Sequence, residues 1–148
     1  MLSTDECLTI LDENTLRYKN VLTLHCKKNA IEFDAVPGLI KLSESQKRLF
    51  ICLIKRINCK RKIMNVVWYE NHQRLSDNNY HQLVFQTRAL LKENDLPTSL
   101  LMTIHYIGIK LNDKLLTELV PPKKIEPEFD HTQDKSWLSR FIIRVISL

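Results

Sequence analysis

The apolar pattern of this chain changes period at Ser43, and that change constrains its fold more than any other feature. Before Ser43 the apolar residues come in short runs. Val21, Leu22 and Leu24 form one, Ile31 and Phe33 alternate with polar neighbours, and Leu39 to Leu42 form another. Lys27-Lys28-Asn29 and Pro37-Gly38 break the runs, so 16–42 is predicted as short strands joined by turns. An antiparallel meander of about three strands is the natural arrangement of such pieces, with Leu8 to Leu11 as an earlier candidate start. After Ser43 the spacing is helical. Ser43-Glu44-Ser45-Gln46 has the form of a capping box. Leu49, Phe50, Leu53, Ile54 and Ile57 then recur as one buried helix face, read as core.

A second short helix is predicted from Lys60 to Trp68, burying Ile63, Met64, Val67 and Trp68. The third is the clearest. Ser76 is a good cap and Asp77 suits the positive end of a helix. Tyr80, Val84, Thr87 and Leu91 follow at spacings that share one face, which should pack on the first two helices. The other face carries Asn78, His81, Gln82, Phe85, Gln86 and, further round, Arg88. The polar stretch from Glu93 and then Pro97 end the helix. Leu100 to His105 and Ile109 to Leu111 read as two strands around a turn at Tyr106-Ile107-Gly108. Strands, three helices and a hairpin, in that order, describe an α+β winged helix-turn-helix. It has an N-terminal antiparallel β-sheet, a three-helix core and a C-terminal β-hairpin wing.

Composition removes several alternatives. The chain has only two glycines, Gly38 and Gly108, so a glycine-rich phosphate loop cannot be built. Its histidines, at 25, 72, 81, 105 and 131, are scattered, and no spacing suggests a catalytic constellation or a metal motif. No enzyme activity, cofactor or metal is expected. Cys7, Cys26, Cys52 and Cys59 form no C-x-x-C pair, and most sit in apolar runs, so buried thiols are expected rather than a disulfide framework. Met1 to Asp5 lacks the basic start and apolar run of a signal peptide, which predicts a cytoplasmic protein. The formal net charge of +5 suits a polyanionic partner.

The expected domain spans 1–120, with the helical core and wing at about 43–112. Residues 121–135 are polar and proline-bearing and read as a linker. The tail, 136–148, is apolar with Arg140 and Arg144. Spanning a bilayer takes about 20 apolar residues, and this tail is too short. It reads as a segment folded back on the domain, ahead of an amphipathic membrane-associated segment or the stub of a spanning helix.

The stretch from Leu42 to Asn112 resembles the DNA-binding domain of OmpR/PhoB-type response regulators. It is closer still to the ToxR/CadC-like branch of bacterial transcriptional regulators. Asn65-Val66-Val67-Trp68 is similar to the end of that family's second helix. Ser76-Asp77-Asn78-Asn79-Tyr80 through Arg88-Ala89-Leu90-Leu91-Lys92 is similar to its recognition helix. Thr103 to Leu111 is similar to the wing, with Gly108 at the family's glycine. The sequence departs from the pattern at His105, Tyr106 and Ile107, where the family usually carries a cation. It departs again at Ile109, where the family has an aromatic, and at Thr87, where it has a core leucine.

The resemblance implies a sequence-specific, DNA-binding regulator of transcription, with a recognition helix at about 77–92 in the major groove. Lys60, Arg61 and Lys62, in the densest basic cluster, are the candidate phosphate contacts beside a helix N-terminus with free amides. Asn78, Gln82 and Gln86 suit adenine edges, and Phe85 suits thymine methyls. Arg88 suits guanine or phosphate, and His81 and Lys110 suit phosphate. Double-stranded DNA is the expected partner. A homodimer on DNA and a contact with RNA polymerase are further partners compatible with the resemblance. The alternative is a winged-helix module that regulates another transcription factor through protein contacts alone.

Overall fold

A computed structural model describes residues 1–71 and 75–119. The architecture is α+β. Helix α1 (Thr4–Leu11) is followed by strands β1 (Thr15–Tyr18), β2 (Leu22–His25), β3 (Ala30–Phe33) and β4 (Ile40–Lys41). Helices α2 (Glu44–Ile54), α3 (Lys60–Val67) and α4 (Asp77–Glu93) come next. Strands β5 (Leu101–Ile104) and β6 (Gly108–Leu111) and helix α5 (Asp113–Leu119) complete the described chain. The linker expected at 121–135 and the tail at 136–148 lie outside the described residues.

The first sheet is antiparallel in the order β1-β2-β3-β4, one strand more than expected. Lys19 and Asn20 both take positive φ, 48° and 56°, between β1 and β2. Two consecutive left-handed residues give a turn whose twist matches that of the flanking strands. Leu22 pairs with Phe33 and Leu24 with Ile31, and all four are buried. One face of the sheet is thereby dry.

Leu8 to Leu11, a candidate strand, is helical. The reason lies just upstream, at Ser3 and Glu6. The Glu6 amide donates to the Ser3 hydroxyl at 3.1 Å, and the Ser3 amide donates to the Glu6 carboxylate at 2.8 Å. This reciprocal box satisfies two amides at the start of the helix. Cys7 is the buried residue of α1, and the Lys55 ammonium donates to the Ile10 carbonyl at 2.7 Å, a cation at the negative helix end. Lys55 also pairs with Glu13 at 2.6 Å.

The presence of α1 changes the environment of α2. The spacing predicts one buried face, yet Ile51 and Cys52 are buried together with Leu49, Phe50 and Leu53. Helix α2 touches α1, the sheet, α3, α4 and β6, so little of its middle remains for solvent. Its predicted capping box is present, Gln46 amide to Ser43 hydroxyl at 3.1 Å and Ser43 amide to Gln46 Oε1 at 2.9 Å. In α3, Ile63 and Val67 are buried as expected and Val66 joins them, while Met64 and Trp68 are half-buried.

Helix α4 buries Tyr80, Leu83, Val84, Thr87 and Leu91. Thr87 stands in the core without exposure, and its hydroxyl donates to the Leu83 carbonyl at 2.7 Å. That internal bond makes a threonine tolerable in a dry interior. Helix α5 closes the core with Leu116 and Leu119. The Tyr18 hydroxyl donates to Asp113 at its start, and Lys19 pairs with the same carboxylate at 3.3 Å. Burial, and then the Asp113 carboxylate, push the Tyr18 phenol up to about 12.

Among the described residues, no helix is long and apolar enough to cross a membrane.

Candidate nucleic-acid interface

Three pieces of chain meet around the start of α3, and a glycine lets them meet. Gly108 pairs with Cys59 in an isolated antiparallel bridge. The Lys60 amide donates to the Ile107 carbonyl at 2.8 Å, and the Ile109 amide to the Asn58 carbonyl at 3.2 Å. A Cβ on Gly108 would lie 1.9 Å from the Asn58 oxygen and 2.9 Å from the Lys60 nitrogen. Gly108 is therefore required for backbone contact. The expectation that it supplies a turn conformation is corrected: its φ is not left-handed, and Tyr106 takes the positive φ of the turn at 65°. The hairpin β5-β6 is thus fastened to the α2–α3 junction.

The same contact changes the helix N-terminus. The free amides expected there are only partly free, because the Lys60 amide is committed to Ile107. Cys59 precedes the first turn without forming a side-chain cap bond. The amide of Lys62, with that of Arg61 and both side-chain charges behind it, holds the Cys59 thiol below its ordinary range.

The basic cluster divides. Lys55 faces α1, as described, and the Arg56 guanidinium lies 5.7 Å from the centre of the Tyr18 ring. Lys60 pairs with Asp77 at 2.8 Å, which links the first turns of α3 and α4. Lys60 thus brings little free charge to a phosphate. This pairing joins residues 17 positions apart and leaves no local trace in the sequence. Arg61 and Lys62 are exposed, and among the described residues neither has an ion-pair partner.

On α4, Asn78, His81, Gln82, Phe85 and Gln86 all stand on the exposed face. Phe85 is 72% exposed, and His81 lies edge-on to Tyr80 with ring centres 5.3 Å apart. Ser76 stabilises the helix start, its amide donating to Asn79 Oδ1 at 3.0 Å. Arg88 is placed differently from the expectation that it reaches DNA. It is half-buried, and its guanidinium donates to the Leu101 carbonyl, with Nε at 3.2 Å, and to the Thr103 hydroxyl at 3.1 Å. It lies on the flank of α4 that faces β5, and its Nε and Nη2 donors fix helix to hairpin. Lys110 is exposed on β6, opposite Met102.

One groove therefore joins the first turn of α3, the start of α4 at Asp77 and the hairpin tip. The tip itself had no assigned role in the sequence, yet Tyr106 is 97% exposed and Ile107 52%. Its apolar, cation-free sequence was the available signal. Comparison with family models, with curated proteins and with solved structures finds no match to this chain.

Proposed function

We propose that the chain is a winged helix-turn-helix module that binds duplex DNA, with α4 in the major groove, and regulates transcription. The observation that carries this reading is the outer face of α4. It holds three exposed amide side chains, Asn78, Gln82 and Gln86, and its first turn is tied through Lys60 and Asp77 to the first turn of α3, where Arg61 and Lys62 are exposed and, among the described residues, have no ion-pair partner. Amide side chains can donate to and accept from adenine in the major groove, each good pair worth about 1–3 kcal/mol of discrimination. Arg61 and Lys62 neutralise phosphates and set the register, and the attachment of the hairpin to Asn58–Lys60 supports the wing assignment. Arg88 and Lys60 act as internal braces of the reading surface. No catalytic step, cofactor or metal is assigned to the chain.

Titration with random-sequence duplex at several salt concentrations tests the reading. Binding should weaken steeply with salt. The Arg61→Ala/Lys62→Ala chain should lose roughly 2 from the slope of log affinity against log salt, since each phosphate contact contributes about 0.9. A folded wild type that does not bind at low salt refutes it. The exposure of Phe85 favours a second reading, a module that docks on another regulator through α4. It predicts that Phe85→Ala abolishes partner binding in a protein with no affinity for DNA.

A further inference from the structure

We propose that the groove beside the first turn of α3 is the docking surface for an acidic segment of this same chain, residues 125–134. The docking goes beyond the DNA-binding reading and does not depend on it. The groove is open and about 790 Å³ in volume. Met64, Tyr106 and Ile107 give it an apolar lining, and large apolar side chains left exposed together mark contact surfaces. Lys60, Arg61, Lys62 and Asp77 supply its charges. Asp77 pairs with Lys60 at 2.8 Å, so the charges of Arg61 and Lys62 are left for an occupant. Such a lining fits a short stretch that carries carboxylates and an apolar side chain together.

The sequence after the described residues has that form. Within 125–134 stand Glu126, Glu128, Asp130 and Asp134, with Phe129 among them and no lysine or arginine. A carboxylate accepts paired hydrogen bonds from a guanidinium, as a phosphate does. The connection is long enough. Asp113, at the start of α5, accepts from the Tyr18 hydroxyl, and the Arg56 guanidinium lies 5.7 Å from the centre of the Tyr18 ring. Arg56 is four positions ahead of Lys60, so α5 starts close to the groove. The helix adds about 10 Å, and the ten residues from Leu119 to Phe129 span at most about 33–36 Å. A tethered segment also competes at an effective concentration of about millimolar, which favours it over a separate acidic protein. Arg61 and Lys62 are the phosphate contacts of the DNA-binding reading, so segment and duplex exclude one another.

The test uses the full chain and a carbodiimide, which joins an amine to a touching carboxylate with loss of water. A mixture of heavy-nitrogen and unlabelled protein separates bonds within a chain from bonds between chains. Lys62 should be joined to Glu126, Glu128 or Asp130 of the same chain, and Lys60 to Asp77 as the internal standard of folding. Lys27 and Lys28, exposed beyond the end of β2 that is remote from Tyr18, should give little product with the segment. Phe129→Ala should cut the Lys62 product roughly 5- to 10-fold, the scale of partly burying an aromatic side chain, and leave the Lys60–Asp77 product unchanged. The docking is overturned by equal yields at Lys62, Lys27 and Lys28, by an unchanged yield in Phe129→Ala, or by Lys62 bonds that form only between chains, which give the groove to a second copy. Exclusion is read with random-sequence duplex: Phe129→Ala, which keeps the net charge, should bind roughly 2- to 5-fold more tightly than wild type. Equal affinity in two chains that both bind overturns it. Failure of the DNA-binding reading is distinct, because neither chain then binds duplex at low salt while the crosslinks still decide the docking.

Discussion

Replacing Gly108 by alanine puts a methyl carbon 1.9 Å from the Asn58 carbonyl oxygen and 2.9 Å from the Lys60 nitrogen. Both neighbours are backbone, so no side chain can rotate away. The hairpin must retreat from the α2–α3 junction, and two hydrogen bonds go with it, Lys60 to Ile107 and Ile109 to Asn58. Their loss costs about 0.5–1.5 kcal/mol each, and the residual crowding about 1–3 kcal/mol. We expect a total of about 2–6 kcal/mol, a large part of the ordinary stability of a domain, about 5–15 kcal/mol. Urea unfolding followed by circular dichroism should show a midpoint about 1–3 M lower with little change in slope. Gly38→Ala is the control. Nothing lies within 4 Å of its Cβ position, but φ is +94°, so its cost is conformational, about 1–2 kcal/mol. A Gly108→Ala chain within about 0.5 kcal/mol of wild type, the range of an ordinary surface change, would refute the close-contact reasoning.

Arg88→Ala should destabilise the chain by about 1–3 kcal/mol, the worth of a charged hydrogen-bond donor, because the Leu101 carbonyl loses its guanidinium; urea unfolding measures this, and an unchanged midpoint contradicts the clamp. Tyr18 gives an alkaline signature. Its folded pKa, about 12, exceeds the ordinary 10, so its contribution is whole below pH 10 and is lost as pH rises toward 12, roughly 2–3 kcal/mol in all. Tyr18→Phe should flatten that decline, and an identical decline in both proteins excludes Tyr18 as its source. Thiol labelling should find one fast cysteine. Cys59 is half-buried with its thiol held low by the Lys62 amide, whereas burial raises Cys7 and Cys26 and pushes Cys52 up to about 12. Cys59→Ser should remove the fast phase, and its persistence would assign reactivity elsewhere.

The sequence by itself determined the elements whose causes are local. The box at Ser43 and Gln46, the face of Tyr80, Val84, Thr87 and Leu91, and the positive φ at Gly38 depend on residues a few positions apart, so spacing and residue type disclose them. The same holds for the exposed side of α4, which is the complement of its buried one. Helix α1 was obscured because Leu8 and Ile10 fit a strand's alternation while Leu8 and Leu11 fit a helix, although Ser3 and Glu6 carried the capping signal. Only the tertiary structure decided the rest. Charge is counted along a chain but neutralised across space, so Lys60 is paired with Asp77 and Lys55 with Glu13, while Arg88 is turned to the Leu101 carbonyl; of the candidate contacts, Arg61, Lys62 and Lys110 stay exposed without an ion-pair partner among the described residues. The requirement for glycine at 108 is likewise set by a backbone 50 residues away, because a steric contact between Asn58 and the hairpin exists only once the three helices have packed.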